Sequence, residues 1–191
     1  MFRKIFDLLR KPSTQFSLGA LLIGGFVAGI MFWGAFNWAI EGSNSIVFCT
    51  SCHEMSWVNE EYEASPHFSN PSGVRAICSD CHVPKSWGAK VARKIEATFI
   101  EVPRKIMGKI NTKEKFESHR LELAERVWAT MKENDSEECR NCHSQESMDL
   151  AEQDKSARRK HSMERRLETG ETCIDCHKGI AHELPQDYEE A

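Results

Sequence analysis

All eight cysteines of this 191-residue chain fall into four C-x-x-C-H motifs. They read Cys49-Thr-Ser-Cys52-His53, Cys78-Ser-Asp-Cys81-His82, Cys139-Arg-Asn-Cys142-His143 and Cys173-Ile-Asp-Cys176-His177. This is the spacing of c-type haem attachment. Two cysteines three positions apart reach the two vinyl groups on one haem edge, and the histidine that follows lies under the iron. Zinc sites and thioredoxin-type dithiols also use paired cysteines. Neither calls for a histidine directly after the second cysteine in four copies. The motifs therefore predict four covalently bound haem c groups and leave no thiol for a disulfide.

The second constraint is an uncharged stretch. Residues 12–40 carry no charged side chain, and Ser17 to Ile40 is almost wholly apolar, with Asn37 the main exception. Those 24 residues exceed the roughly 20 that span a bilayer core as a helix. The stretch is too long for a signal-peptide core and has no convincing cleavage site, so it reads as an uncleaved anchor. Arg3, Lys4, Arg10 and Lys11 against Asp7 give residues 1–15 a charge of +3, which leaves −7 for the rest of a chain of net charge −4. The positive-inside rule then puts residues 1–15 in the cytoplasm, an anchor over 16–40, and 41–191 in the periplasm of a bacterial inner membrane. Haem attachment requires export, so anchor and motifs agree. Trp33 and Trp38 sit near the outer end, where aromatic belts form. Ala20, Gly24 and Ala28, with Gly25 and Gly29 beside them, form a small-residue face suited to close helix packing, so a homo-oligomer through the anchor is one expectation. The basic residues are scattered among acids, which argues against a nucleic-acid partner.

About 150 residues outside the membrane hold four macrocycles. Side chains alone cannot make a core there, so the predicted fold is mainly α, with loops and short helices wrapped on haems. Phe116, Leu123, Val127, Trp128 and Met131 recur at helical spacing and predict one long helix over about Thr112–Lys132. A second is expected over about Ser86–Ile100, limited by Pro103. The order motif, lone histidine, motif occurs twice, with motif spacings of 29 and 34 residues. This reads as two dihaem modules, about 41–110 and 135–185.

Haem iron usually takes two axial ligands. His53, His82, His143 and His177 come from the motifs, and His67, His119, His161 and His182 remain. His182 is five residues past His177, too close to reach the opposite face of the same haem easily. His119 lies on the apolar face of the long helix and reads equally as a ligand or a core histidine. Met55, two residues past His53, is either a thioether ligand, which raises haem potential, or a packing residue.

With these residues in view, the chain resembles the NapC/NirT family of membrane-anchored tetrahaem quinol dehydrogenases over nearly its whole length. The resemblance rests on the anchor, His53-Glu54-Met55, Ser72-Gly73-Val74-Arg75-Ala76 and Cys81-His82-Val83-Pro84. It extends to Lys115-Phe116-Glu117, Glu138-Cys139-Arg140-Asn141-Cys142-His143 and the run Cys173-Ile174-Asp175-Cys176-His177-Lys178-Gly179-Ile180-Ala181-His182. It implies oxidation of membrane quinol, menaquinol or ubiquinol, at the first haem, with Met55 rather than His53 as its proximal ligand. It implies that the other three haems are low-spin, held by His82, His143 and His177 with distal His67, His161 and His182, and that His119 is surplus. It further implies a periplasmic reductase as electron acceptor, nitrate reductase first and nitrite reductase second. Lys94 and Glu101 match the family's basic and acidic residues beside the quinol haem. Relatives often have Asp at the acidic position, and this chain has one extra residue within Thr98–Arg104. A spacing of seven puts Lys94 and Glu101 on one helix face, where a carboxylate can take the proton that leaves a quinol. Two other classes remain open: a passive electron-transfer subunit without a quinol site, and a terminal reductase with an open haem.

Overall fold

The computed structural model describes residues 12–186 and 188, so Arg3, Lys4, Arg10 and Lys11 of the expected cytoplasmic segment lie outside the described residues. Every regular element among the described residues is helical. The chain divides into two units, one ending at Gly42 and one beginning at Ser43.

The first unit contains α1, Leu18–Gly42. Ser17 starts it by accepting a hydrogen bond from the Ala20 N–H, as a cap residue should. Its 25 residues rise about 37 Å, enough for a hydrocarbon core of about 30 Å. By length and composition it can cross a membrane. Asn37, the polar exception, donates from Nδ2 to the Trp33 carbonyl at 2.8 Å and so satisfies its amide within the helix.

The second unit is a string of short helices: α2 (Ile46–Cys49), α3 (Met55–Glu63), α4 (Cys78–His82) and α5 (Trp87–Glu96). A π-helical turn over Ala97–Glu101 then leads into α6 (Val102–Ile106). The one long element is α7 (Lys113–Glu133), followed by α8 (Glu137–Arg140), α9 (Lys155–Lys160), α10 (Met163–Thr169) and α11 (Cys173–Cys176). Thr112 caps α7 by accepting from the Lys115 N–H, one residue from the start its periodicity predicts. Phe116 and Met131 of its apolar face are buried, and Leu123, Val127 and Trp128 are half-buried.

Pro103 does not end the second predicted helix. The π-helical turn comes first, and Pro103 sits in the opening turn of α6, where a missing N–H costs least. A π turn is how a helix absorbs one extra residue.

Tyr62, Phe116, Met131 and Ile174 are the buried apolar side chains among the described residues, a small core for so long a unit. Polar pins supplement it. Arg120 lies over the Phe116 ring and pairs with Glu61 at 2.6 Å and Glu117 at 2.7 Å. Ser136, fully buried in the left-handed region at φ 50°, accepts from the Ile174 N–H. That bond ties the third motif's lead-in to the fourth motif.

Candidate functional site

The two motifs with aspartate as their third residue, Cys78-Ser-Asp-Cys81-His82 and Cys173-Ile-Asp-Cys176-His177, form the short helices α4 and α11. Asp80 accepts from the Ile77 N–H and Asp175 from the Thr172 N–H, both at 2.8 Å. Each carboxylate thus satisfies a donor that a helix start leaves open. The shared aspartate has a local structural cause.

The four motifs are neighbours in numerical order. α2, ending in Cys49, packs on α4, and α4 packs on α8, which carries Cys139. Cys49 and Cys78 are within hydrogen-bonding reach, Cys81 lies near Cys142, and Cys139 lies near both Cys81 and Cys173.

Six of the eight histidines meet in pairs, each joining a motif histidine to a lone one. The ring centroids of His67 and His143 are 6.3 Å apart, those of His82 and His182 6.1 Å, and those of His161 and His177 5.8 Å. With metal–imidazole bonds of about 2 Å, two rings on opposite sides of one iron have centroids about 6.3 Å apart. The donor sets fit haem. Two of the pairs cross between the sequence halves, so the repeat seen in sequence interlocks in space.

Desolvation, with smaller contributions from His182 and Arg93, holds His82 down to about 4. Burial also lowers His177 and His182. All three imidazoles are thereby kept neutral, the form that binds a metal. The ring nitrogens are also sorted. His161 Nδ1 is 2.7 Å from Gln153 Oε1, which only accepts, so Nδ1 carries the proton and Nε2 is left bare. His182 Nδ1 is 3.8 Å from Glu61 Oε2, the carboxylate that Arg120 holds. His67 is placed by a hydrogen bond from Ala76 N–H to its backbone carbonyl, which docks it on the run leading into the second motif.

The first motif differs. His53 Nε2 is 3.1 Å from the backbone oxygen of Asn111, so this nitrogen carries the proton and donates. Asn111 is fixed in turn by Lys115, whose Nζ reaches Asn111 Oδ1 at 2.8 Å and Gly108 O at 3.1 Å. Gly108 takes φ 66°, and a Cβ there would meet Asn111 at 3.1 Å. The Lys115-Phe116-Glu117 run therefore serves this loop through Lys115. Met55 opens α3 directly after the motif, its N–H bonded to the Cys52 carbonyl. His119 donates from Nδ1 to the Lys115 carbonyl at 2.8 Å and belongs to none of the three histidine pairs.

Lys94 and Glu101 have separate partners. Lys94 Nζ donates to Ser43 Oγ at 2.8 Å, whereas the Glu101 carboxylate pairs with Arg93 at 2.6 Å. The π-helical turn lies between them, and the eight-residue spacing Arg93–Glu101 replaces the seven-residue α-helical register that Lys94 and Glu101 would share. Sequence reasoning missed Arg93, Asn111, Gln153 and Ser136. Only the Asn134-Asp135-Ser136 turn cluster carried a signal.

The sequence profile of the NapC/NirT cytochrome c family, N-terminal region, matches residues 11–187. The chain belongs to the NapC/NirT cytochrome c family. It is 55% identical over 187 residues to the denitrification system component NirT of Stutzerimonas stutzeri, covering 97% of this chain and 92% of NirT. It is 54% identical over 180 residues to the cytochrome c-type protein NapC of Paracoccus pantotrophus, covering 93% of this chain and 75% of that one. A putative tetraheme cytochrome of Allochromatium vinosum is 48% identical over 179 residues, covering 94% of this chain and 95% of that protein. No solved structure matches at a significant level. As a NapC/NirT cytochrome the chain is a haem c electron-transfer protein with one apolar helix able to anchor it in a membrane.

Proposed function

We propose that this cytochrome is a quinol dehydrogenase with four haems, anchored with its amino terminus in the cytoplasm and its haem unit in the periplasm. Its electron acceptor is a periplasmic reductase, nitrate reductase in first place given the likeness to NapC. The observation that carries this reading is the set of three histidine pairs, joined to motifs that adjoin in the order first, second, third, fourth. Haem c, when bound, supplies one-electron acceptance and release.

The residues divide the work. Cys49 and Cys52, Cys78 and Cys81, Cys139 and Cys142, and Cys173 and Cys176 attach the four groups. His82 with His182, His143 with His67, and His177 with His161 would hold three of the haem irons. At the first motif Met55 would be the ligand, because the hydrogen bond to Asn111 engages Nε2 of His53. Glu101 takes the hydroxyl proton as quinol gives up its electrons, and Arg93 fixes the direction of its carboxylate. Lys94, bonded to Ser43, sets the position of α5 beside the residue that follows the anchor.

The test is the purified full-length protein in lipid vesicles supplied with quinol. We expect four haems per chain by denatured-haem assay, and complete reduction by quinol with no protein donor. Three or fewer haems refute the stoichiometry. Reduction that occurs only with an added protein donor replaces this reading with that of a passive relay.

A further inference from the structure

The lone histidines present their Nδ1 atoms to different chemistry. His161 Nδ1 is 2.7 Å from Gln153 Oε1, the oxygen of a neutral amide. His182 Nδ1 is 3.8 Å from Glu61 Oε2, the oxygen of a carboxylate. His67 Nδ1 is buried with no hydrogen-bond partner among the described residues. The backbone oxygen of Val58 also lies beside the His182 ring, but it carries no net charge.

Long-range contacts hold the Glu61 carboxylate in place. Glu61 comes from α3, just after the first motif, whereas His182 follows the fourth. Arg120 of α7 donates to Glu61 from Nη1 at 3.0 Å and from Nη2 at 2.6 Å. It donates to Glu117 from Nε at 2.7 Å and from Nη2 at 2.9 Å, and to the Glu183 carbonyl at 3.2 Å. Glu61 Oε2 also accepts from the Glu183 N–H at 3.0 Å. One guanidinium between two carboxylates leaves this cluster with a charge of −1. Water screens it little: the Arg120 and Glu61 side chains are only 9% and 13% exposed, and His182 Nδ1 is buried. A charge this close to a desolvated ring acts on it strongly.

A carboxylate beside the outer nitrogen of a ligating histidine raises the basicity of the ring. A more basic ligand favours oxidised iron and so lowers the haem potential. We propose that Glu61 and Gln153 set the relative potentials of two haems through the histidines they face. The Glu61 carboxylate makes the haem of His82 and His182 harder to reduce. The Gln153 amide leaves the haem of His161 and His177 easier to reduce. Both residues act through a ligand, so they are positioning residues for electron transfer. This rests on the reading of the histidine pairs as haem ligands. The second motif adjoins the first, so Glu61 puts the harder reduction near the start of the row of motifs and Gln153 the easier one at its end, an order that favours forward flow.

The test is a redox titration of the full-length holoprotein at neutral pH, followed by electron paramagnetic resonance. Glu61→Gln removes the charge and keeps the shape. One low-spin couple should rise by at least about tenfold in its reduction equilibrium, about 59 mV for one electron. Glu61→Asp keeps the charge and should leave that couple near its wild-type potential. Gln153→Glu adds a charge beside His161 and should lower a different couple by a similar factor. Unchanged potentials in either Glu61→Gln or Gln153→Glu overturn the proposal. So does an equal rise in Glu61→Asp, which would assign the effect to the clamp around Arg120 rather than to charge. If Glu61→Gln fails to mature, Gln153→Glu decides alone, because Gln153 has no contact with the Arg120 cluster among the described residues. His182→Ala separates this proposal from the ligand reading beneath it. Loss of a low-spin signal there, with no shift in Glu61→Gln, keeps the ligands and removes the proposal. Low-spin signals all intact in His182→Ala remove the ligand reading itself.

Discussion

The first and fourth motifs have the same Cys-x-x-Cys-His pattern but different surroundings. At the fourth, His177 faces His161 at 5.8 Å, and Gln153 holds the proton on His161 Nδ1 so that Nε2 is available. At the first, the proton sits on His53 Nε2, donated to the Asn111 carbonyl, and no histidine ring faces His53 among the described residues. The motif fixes where a haem is attached. The long-range contacts of its histidine fix which ring nitrogen keeps its lone pair. One motif can therefore place its histidine against a second histidine in one part of the fold and against a backbone carbonyl in another.

The largest effect should come from the paired side of this comparison. His67→Ala, His161→Ala and His182→Ala should each turn one of the four haems high-spin or block maturation, as read by optical and electron paramagnetic resonance spectra. His119→Ala should leave the spectra unchanged. A spin change in His119→Ala and none in His182→Ala would undo the pairing. Next comes the unpaired side. Met55→Ala should change the spectrum and potential of one haem, while His53→Ala should keep the ligation and lose only the tie to Asn111. The reverse result would make His53 an ordinary axial ligand and erase the contrast between the motifs.

A smaller effect is expected at the proton acceptor. Glu101→Gln should retain four haems and be reduced by quinol at least about tenfold more slowly, below the roughly 10²–10⁴-fold usual for general-base assistance. Dithionite reduction should be unchanged, since it needs no proton acceptor. Arg93→Gln should slow quinol reduction by less, because it leaves the carboxylate in place but undirected. Wild-type rates in both variants would move the base elsewhere near the first motif.

The smallest effect concerns the aspartates that cap α4 and α11. At Asp80 burial opposes ionisation, but Lys85 and the Ile77 N–H outweigh it and hold the carboxyl below its ordinary value. At Asp175 burial is likewise outweighed by Lys132 and the Thr172 N–H. A depressed carboxyl stabilises the fold fully above its unfolded pKa of about 3.9, and the contribution is lost as pH falls through the lower folded value. Asp80→Ala or Asp175→Ala should cost about 1 kcal/mol at neutral pH and little in strong acid. An equal loss at both pH values in thermal melts would show that the carboxylate charge is not what caps these helices.

The amino-acid sequence by itself determined the cofactor chemistry, the apolar helix and the long helix α7. Each is written in neighbouring residues: C-x-x-C-H within five positions, 24 uncharged and almost wholly apolar residues in a row, and a helical repeat opened by Thr112. Cofactor attachment and helix formation are local events, so local pattern suffices for them. The sequence named His67, His161 and His182 without saying which motif histidine each would meet, because a lone histidine carries no local sign of its partner. Tertiary structure brought His67 to His143 across 76 positions and His82 to His182 across 100. It also decided the tautomer of His53, through a carbonyl on a distant loop, and the partner of Glu101, through a π-helical turn that shifted its register from Lys94 toward Arg93. These depend on which surfaces pack together, and packing is set by the whole chain at once.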